Sequence, residues 1–114
     1  MPNPVVHWEI LGQDPKKSQE FYAKLFGWHV VANNPYNYGL VDTRSEGGIN
    51  GGIGPCNEGA RVTVYVQVDD LQKYLDEATR LGGEIVVPPT EIPNVVTLAQ
   101  FADPDGNIIG LIKG

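Results

Sequence analysis

The sequence predicts an α+β fold built from two βαβββ modules, and three observations carry that prediction. The chain repeats itself at an offset of 56 residues: Asp14 falls on Asp70, Lys17 on Lys73, Leu25 on Leu81, Gly27 on Gly83, and Val30–Val31 on Val86–Val87. The order of structural signals repeats with it: a β-branched run, an aspartate, a helical-period stretch, a glycine, then three more short runs. At 114 residues the chain has room for one main core, so residues 1–114 read as a single domain. Module one is placed at 1–54, a linker at 55–60 and module two at 61–114.

In module one, Val5 to Leu11 is a strand, because valine, isoleucine and tryptophan suit a half-buried pleated surface. Asp14 is the N-cap of a helix whose first position is Pro15, where a missing N–H costs nothing. Phe21, Tyr22, Leu25 and Phe26 are expected to form its buried stripe, and Gly27 to end it at positive φ. Strands follow at Trp28 to Ala32, Tyr38 to Asp42 and Ile49 to Ile53, the last two flanking Thr43 to Gly48. Pro55 to Gly59 is a surface link of turn-forming residues.

Module two repeats the scheme. Val62 to Val68 is a strand, Asp69 or Asp70 the cap, and Leu71, Tyr74, Leu75, Ala78 and Leu81 an amphipathic stripe ended by Gly82–Gly83. Strands are expected at Glu84 to Val87, Val95 to Ala102 and Asn107 to Lys113. The last two flank the turn Asp103-Pro104-Asp105-Gly106.

Composition narrows the function classes. The net charge is −6, and the lysines and arginines are scattered, so no phosphate-contacting surface is visible and nucleic acid is not an expected partner. The apolar runs are far too short to span a bilayer, so no membrane partner is expected. Met1-Pro2-Asn3-Pro4 lacks the basic and apolar regions of a secretion signal. Cys56 is the only cysteine, and both features fit a cytoplasmic protein. Gly47 to Gly54 lacks the lysine and hydroxyl of a phosphate loop. Close strand packing or a bulge is the plainer reason for those glycines.

His7-Trp8-Glu9-Ile10, Asp14-Pro15 with Phe21-Tyr22, Leu25-Phe26-Gly27-Trp28, Val66-Gln67-Val68-Asp69-Asp70-Leu71, Leu81-Gly82-Gly83 and Asp103-Pro104-Asp105-Gly106-Asn107 occur in this order along the chain. In that order and spacing the sequence resembles the vicinal-oxygen-chelate superfamily of glyoxalase I, bleomycin-resistance proteins and ring-cleaving extradiol dioxygenases. The resemblance implies that the two modules form an open barrel-like cup with the helices outside, and that the protein is a homodimer. It also implies a small organic molecule as the ligand.

Metal-dependent members of that superfamily take ligands from the first and last strand of each module. The resemblance puts those positions at His7, Thr63, Gly110 and Gly52 (or a neighbour of Gly52). Only His7 is a competent ligand, so no metal or other cofactor is expected; a divalent metal held through His7 is the alternative. Strand alternation puts His7 with Glu9, and Thr63 with Tyr65 and Gln67. If those faces line the cup, these five contact the ligand, with Glu9 the best candidate for acid–base work. A histidine beside a glutamate is also commonly just a hydrogen-bonded pair, and Tyr65 can be a space-filling ring.

The leading expectation is therefore a metal-independent glyoxalase/bleomycin-resistance-type protein that sequesters or converts a small molecule. One alternative is a metal-dependent glyoxalase I-like lyase or ring-cleaving dioxygenase. Another is a non-catalytic structural or partner-binding domain whose cup is filled by its own side chains.

Overall fold

The computed structural model describes residues 2–93 and 95–114; the expectation for Met1 lies outside these. Eight strands and two helices are found among the described residues, in the order β1 (Val5–Gly12), α1 (Pro15–Phe26), β2 (His29–Val31), β3 (Gly39–Asp42), β4 (Gly51–Pro55), β5 (Arg61–Val68), α2 (Leu71–Arg80), β6 (Glu84–Ile92), β7 (Val96–Ala102) and β8 (Ile108–Lys113). This is the βαβββ pattern twice over, of α+β class. The chain divides into two compact units, His7–Thr63 and Met1–Val6 with Val64–Gly114.

Within His7–Thr63 the strands run in the order β2-β3-β4-β1. The β1–β4 pair is parallel, with Glu9 opposite Gly52, and the other pairs are antiparallel. The second unit repeats this as β6-β7-β8-β5, with β5 and β8 parallel and Tyr65 opposite Gly110. Gly52 and Gly110 are therefore equivalent positions, which fixes the register that the sequence alone left open by one.

Both helices start as their sequences dictate. Asp14 Oδ1 accepts from the Lys17 amide and Asp70 Oδ1 from the Lys73 amide, each at 3.1 Å, satisfying one of the open amides of the first turn. They stop at residues that turn left-handed, Gly27 at φ 71° and Gly82 at φ 104°. Gly83 is required for a different reason: a Cβ there would stand 2.6 Å from the Ala102 carbonyl.

The second unit has the main core: Val68, Leu71, Leu75, Ala99 and Leu111, with Val66, Tyr74 and Phe101 packed against it. Leu81, expected in the stripe, is exposed, since the helix ends at Arg80. The stripe expected on α1 is corrected more fully: Phe21, Leu25 and Phe26 are 57–59% exposed, and the buried residue of that helix is Gln19. Its amide explains the inversion, donating to the Asn37 carbonyl at 3.1 Å and the Ile53 carbonyl at 2.9 Å and so tying the helix to β4. The rings instead gather beside the helix, where Tyr22 and Phe26 pack on Trp28, which also meets Trp8.

Strand β6 runs five residues beyond the expected Val87, through Pro88 and Pro89 to Ile92. Register shifts on either side of Val87 accommodate the two residues that lack an N–H.

Candidate functional site

On β1 the alternation puts His7 and Glu9 on one face and Trp8 on the other. Trp8 belongs to the aromatic cluster beside α1 and anchors its indole N–H on the Ile49 carbonyl at 2.7 Å. His7 and Glu9 are joined by Tyr38, which the sequence pattern marks only as the start of a strand. The Tyr38 hydroxyl lies 2.8 Å from His7 Nε2 and donates to Glu9 Oε2 at 3.1 Å. A phenol has one proton; with that proton donated in the hydrogen bond to Glu9, the imidazole supplies the Nε2–H of the other bond. Burial holds the His7 pKa below its ordinary value, which favours this neutral imidazole.

Two glycines make the arrangement possible. A Cβ at Gly52 would run into the Tyr38 hydroxyl and ring, and one at Gly54 would stand 2.6 Å from the same ring. Residues i and i+2 of a strand share a face, so Gly52 and Gly54 form a bare strip on which the ring lies. Asn34 positions the loop that delivers it, its Oδ1 accepting from the amides of Tyr36 and Tyr38 and its Nδ2 donating to the Tyr38 carbonyl. The alternating glycines Gly52 and Gly54 were the available signal that a large side chain crosses β4. Beside His7 opens a cavity of about 400 Å³ lined also by His29, Asp42, Asn50 and Leu40.

In the second unit Tyr65 is 3% exposed, and its hydroxyl accepts from Gln100 Nε2 at 2.9 Å. Gln100, opposite Gly110 on the adjoining strand, was not singled out from the sequence. The Tyr65 ring covers Gly110 as Tyr38 covers Gly52. Gln67 is exposed and reaches over Gly114. Thr63 belongs to the first unit; it is 1% exposed and its hydroxyl has no hydrogen-bond partner among the described residues. Of the five expected contact residues, the fold thus joins His7 to Glu9 through Tyr38, and pairs Tyr65 with Gln100.

The positions that a metal would need can be tested directly. Gly52 and Gly110 offer no side chain, and the space a ligand side chain would occupy is filled by Tyr38 and Tyr65. Among the described residues no three His, Cys, Asp or Glu side chains are grouped so as to hold an ion. These residues do not fit a resident metal centre.

The doubled βαβββ order defines a class of fold, and sequence comparison identifies the family. The profile of the Glyoxalase/Bleomycin resistance protein/Dioxygenase superfamily matches residues 5–111, and the chain belongs to that superfamily. It is 30% identical over 118 residues to the anthracycline biosynthesis protein DnrV of Streptomyces peucetius, covering 87% of this chain and 43% of that protein. It is 28% identical over 118 residues to the anthracycline biosynthesis protein DauV of Streptomyces sp. (strain C5), with the same coverage of 87% and 43%. The chain therefore spans less than half the length of these relatives. A methylmalonyl-CoA epimerase from Mycobacterium tuberculosis shares the fold, with a TM-score of 0.71 at 14% identity over 96% of this chain and 86% of that one. No helix among the described residues is long and apolar enough to cross a membrane.

Proposed function

We propose that this chain binds a small organic molecule on the polar face of module one, without a resident metal. The observation that carries this reading is the His7–Tyr38–Glu9 chain beside an open cavity of about 400 Å³. A neutral imidazole, a phenol and a carboxylate held in line give a ligand both donors and acceptors in fixed positions. For a ligand with an acidic proton, Glu9 is the acceptor, and the Tyr38 hydroxyl steadies the carboxylate as its charge changes. The names of two relatives, which place them in anthracycline biosynthesis, fit an organic ligand. The superfamily likeness favours a homodimer working in the cytoplasm, and light scattering would test the dimer.

Binding without metal is supported by the tyrosines that occupy the space of the missing ligands. The metal-dependent lyase or dioxygenase would need a ligand set rebuilt around His7.

The test combines a ligand screen with elemental analysis. Aldehydes, thiol adducts and polycyclic aromatic compounds are screened by thermal shift, and hits are repeated on Tyr38→Phe. Saturable stabilisation that Tyr38→Phe weakens about tenfold or more supports the site. No stabilisation from any compound, or hits that Tyr38→Phe leaves unchanged, would overturn it. Near-stoichiometric zinc, nickel, manganese or iron that His7→Ala removes would overturn the metal-free part alone.

A further inference from the structure

The second unit holds a cavity of about 440 Å³ on the helix side of its sheet, which the reading above does not use. Its floor is core: Val68 and Leu111, each 3% exposed, with Val66 and Phe101. Tyr74, Ala78, Leu81 and Pro104 wall it. The internal repeat explains why it is open. In module one, Trp8, Tyr22, Phe26 and Trp28 stack against each other beside α1, with centroids 4.8–6.2 Å apart. At the same offset of 56, module two carries Val64, Ala78, Gly82 and Glu84. None of these four counterparts carries a ring, and Ala78, at the position of Tyr22, lines the cavity.

Two carboxylates stand at the edge of this apolar space, Glu77 and Asp103. Glu77 is paired with Arg80, so its charge is offset. Asp103 is held differently: its oxygens accept from the Asn107 side chain and amide and from the Asp105 amide, at 2.8–3.0 Å. These donors are neutral, and they keep the carboxyl ionised by holding its pKa below the usual range. An apolar recess of ligand size with a fixed negative charge at its rim is complementary to a ring bearing a cation.

We propose that this cavity is a second binding site, independent of module one, for a small apolar amine. Its aromatic or alicyclic ring takes the place of the missing rings, and its protonated nitrogen meets Asp103. The probes are 1-naphthylmethylamine, 1-naphthylmethanol and 1-naphthoate, titrated into the intact chain and followed by methyl NMR.

The amine should give saturable shifts centred on Val66, Val68, Ala78, Leu81 and Leu111. The carboxylate should bind about tenfold more weakly or worse. Ala78→Tyr, which restores the ring of the repeat, should abolish the shifts, and Asp103→Asn should remove the preference for the amine. Absent or non-saturable shifts, shifts centred elsewhere, or equal binding of all three probes would overturn the proposal. If Ala78→Tyr fails to fold, the shift map and probe ranking on the unmutated chain decide. Methyl shifts at Val31 and Leu40, which line the module-one cavity, report on that site separately.

Discussion

Tyr38 is the residue on which the module-one chemistry turns, because its single hydroxyl bridges an imidazole and a carboxylate that lie two residues apart on β1. Tyr38→Phe keeps the ring over Gly52 and Gly54 and deletes only the oxygen. It should lower stability by about 1–3 kcal/mol, read by chemical denaturation, since two polar groups lose a shared partner. His7 gives a pH signature. Its folded pKa lies below the ordinary value of 6.5, so the unfolded chain binds more protons in the interval between the two. Stability associated with this group is fully present above about pH 6.5 and is lost as pH falls toward the folded value. In His7→Gln the melting temperature should fall less steeply between pH 6.5 and 5 than in the unmutated protein. Parallel curves would show that His7 does not titrate as its burial requires.

At the scale of elements, the two helices share a start signal but not a packing mode. Asp14→Ala and Asp70→Ala should each cost about 1 kcal/mol, because each removes the acceptor for an N3 amide. The buried faces should differ far more. Leu75 is 0% exposed, and Leu75→Ala should cost about 2–5 kcal/mol. Phe21, 58% exposed on α1, should cost well under half of that when changed to Ala, whereas an amphipathic stripe would make the two alike. The strands give a third expectation. Gly52→Ala must displace the Tyr38 ring and Gly110→Ala the Tyr65 ring, so both should destabilise, and only the first should disturb the His7 signals in NMR.

Over the whole chain, the repeat made the fold legible. Equal spacing of caps and glycines gave the element order, and every expected strand and helix is found, with boundaries shifted by a few residues. That reading succeeded because caps, turns and period-2 runs are local, set by backbone hydrogen bonding within a few residues. The candidate site was legible only by half. His7 and Glu9 could be placed on one face by alternation, but Tyr38 lies 31 residues from His7 and reaches it through a loop shaped by Asn34. No local pattern marks Gln19 as buried, because its burial depends on two carbonyls distant in sequence.

By itself the sequence determined the α+β class, the doubled βαβββ order, the helix caps and the glycine positions, since each depends on short-range sterics and hydrogen bonds. Tertiary structure decided what those glycines are for. Bare glycines on β4 and β8 receive tyrosine rings, and the small Ala78 on α2 lines an open cavity. Both outcomes depend on which side chains long-range packing brings into the same volume, a quantity no local pattern encodes.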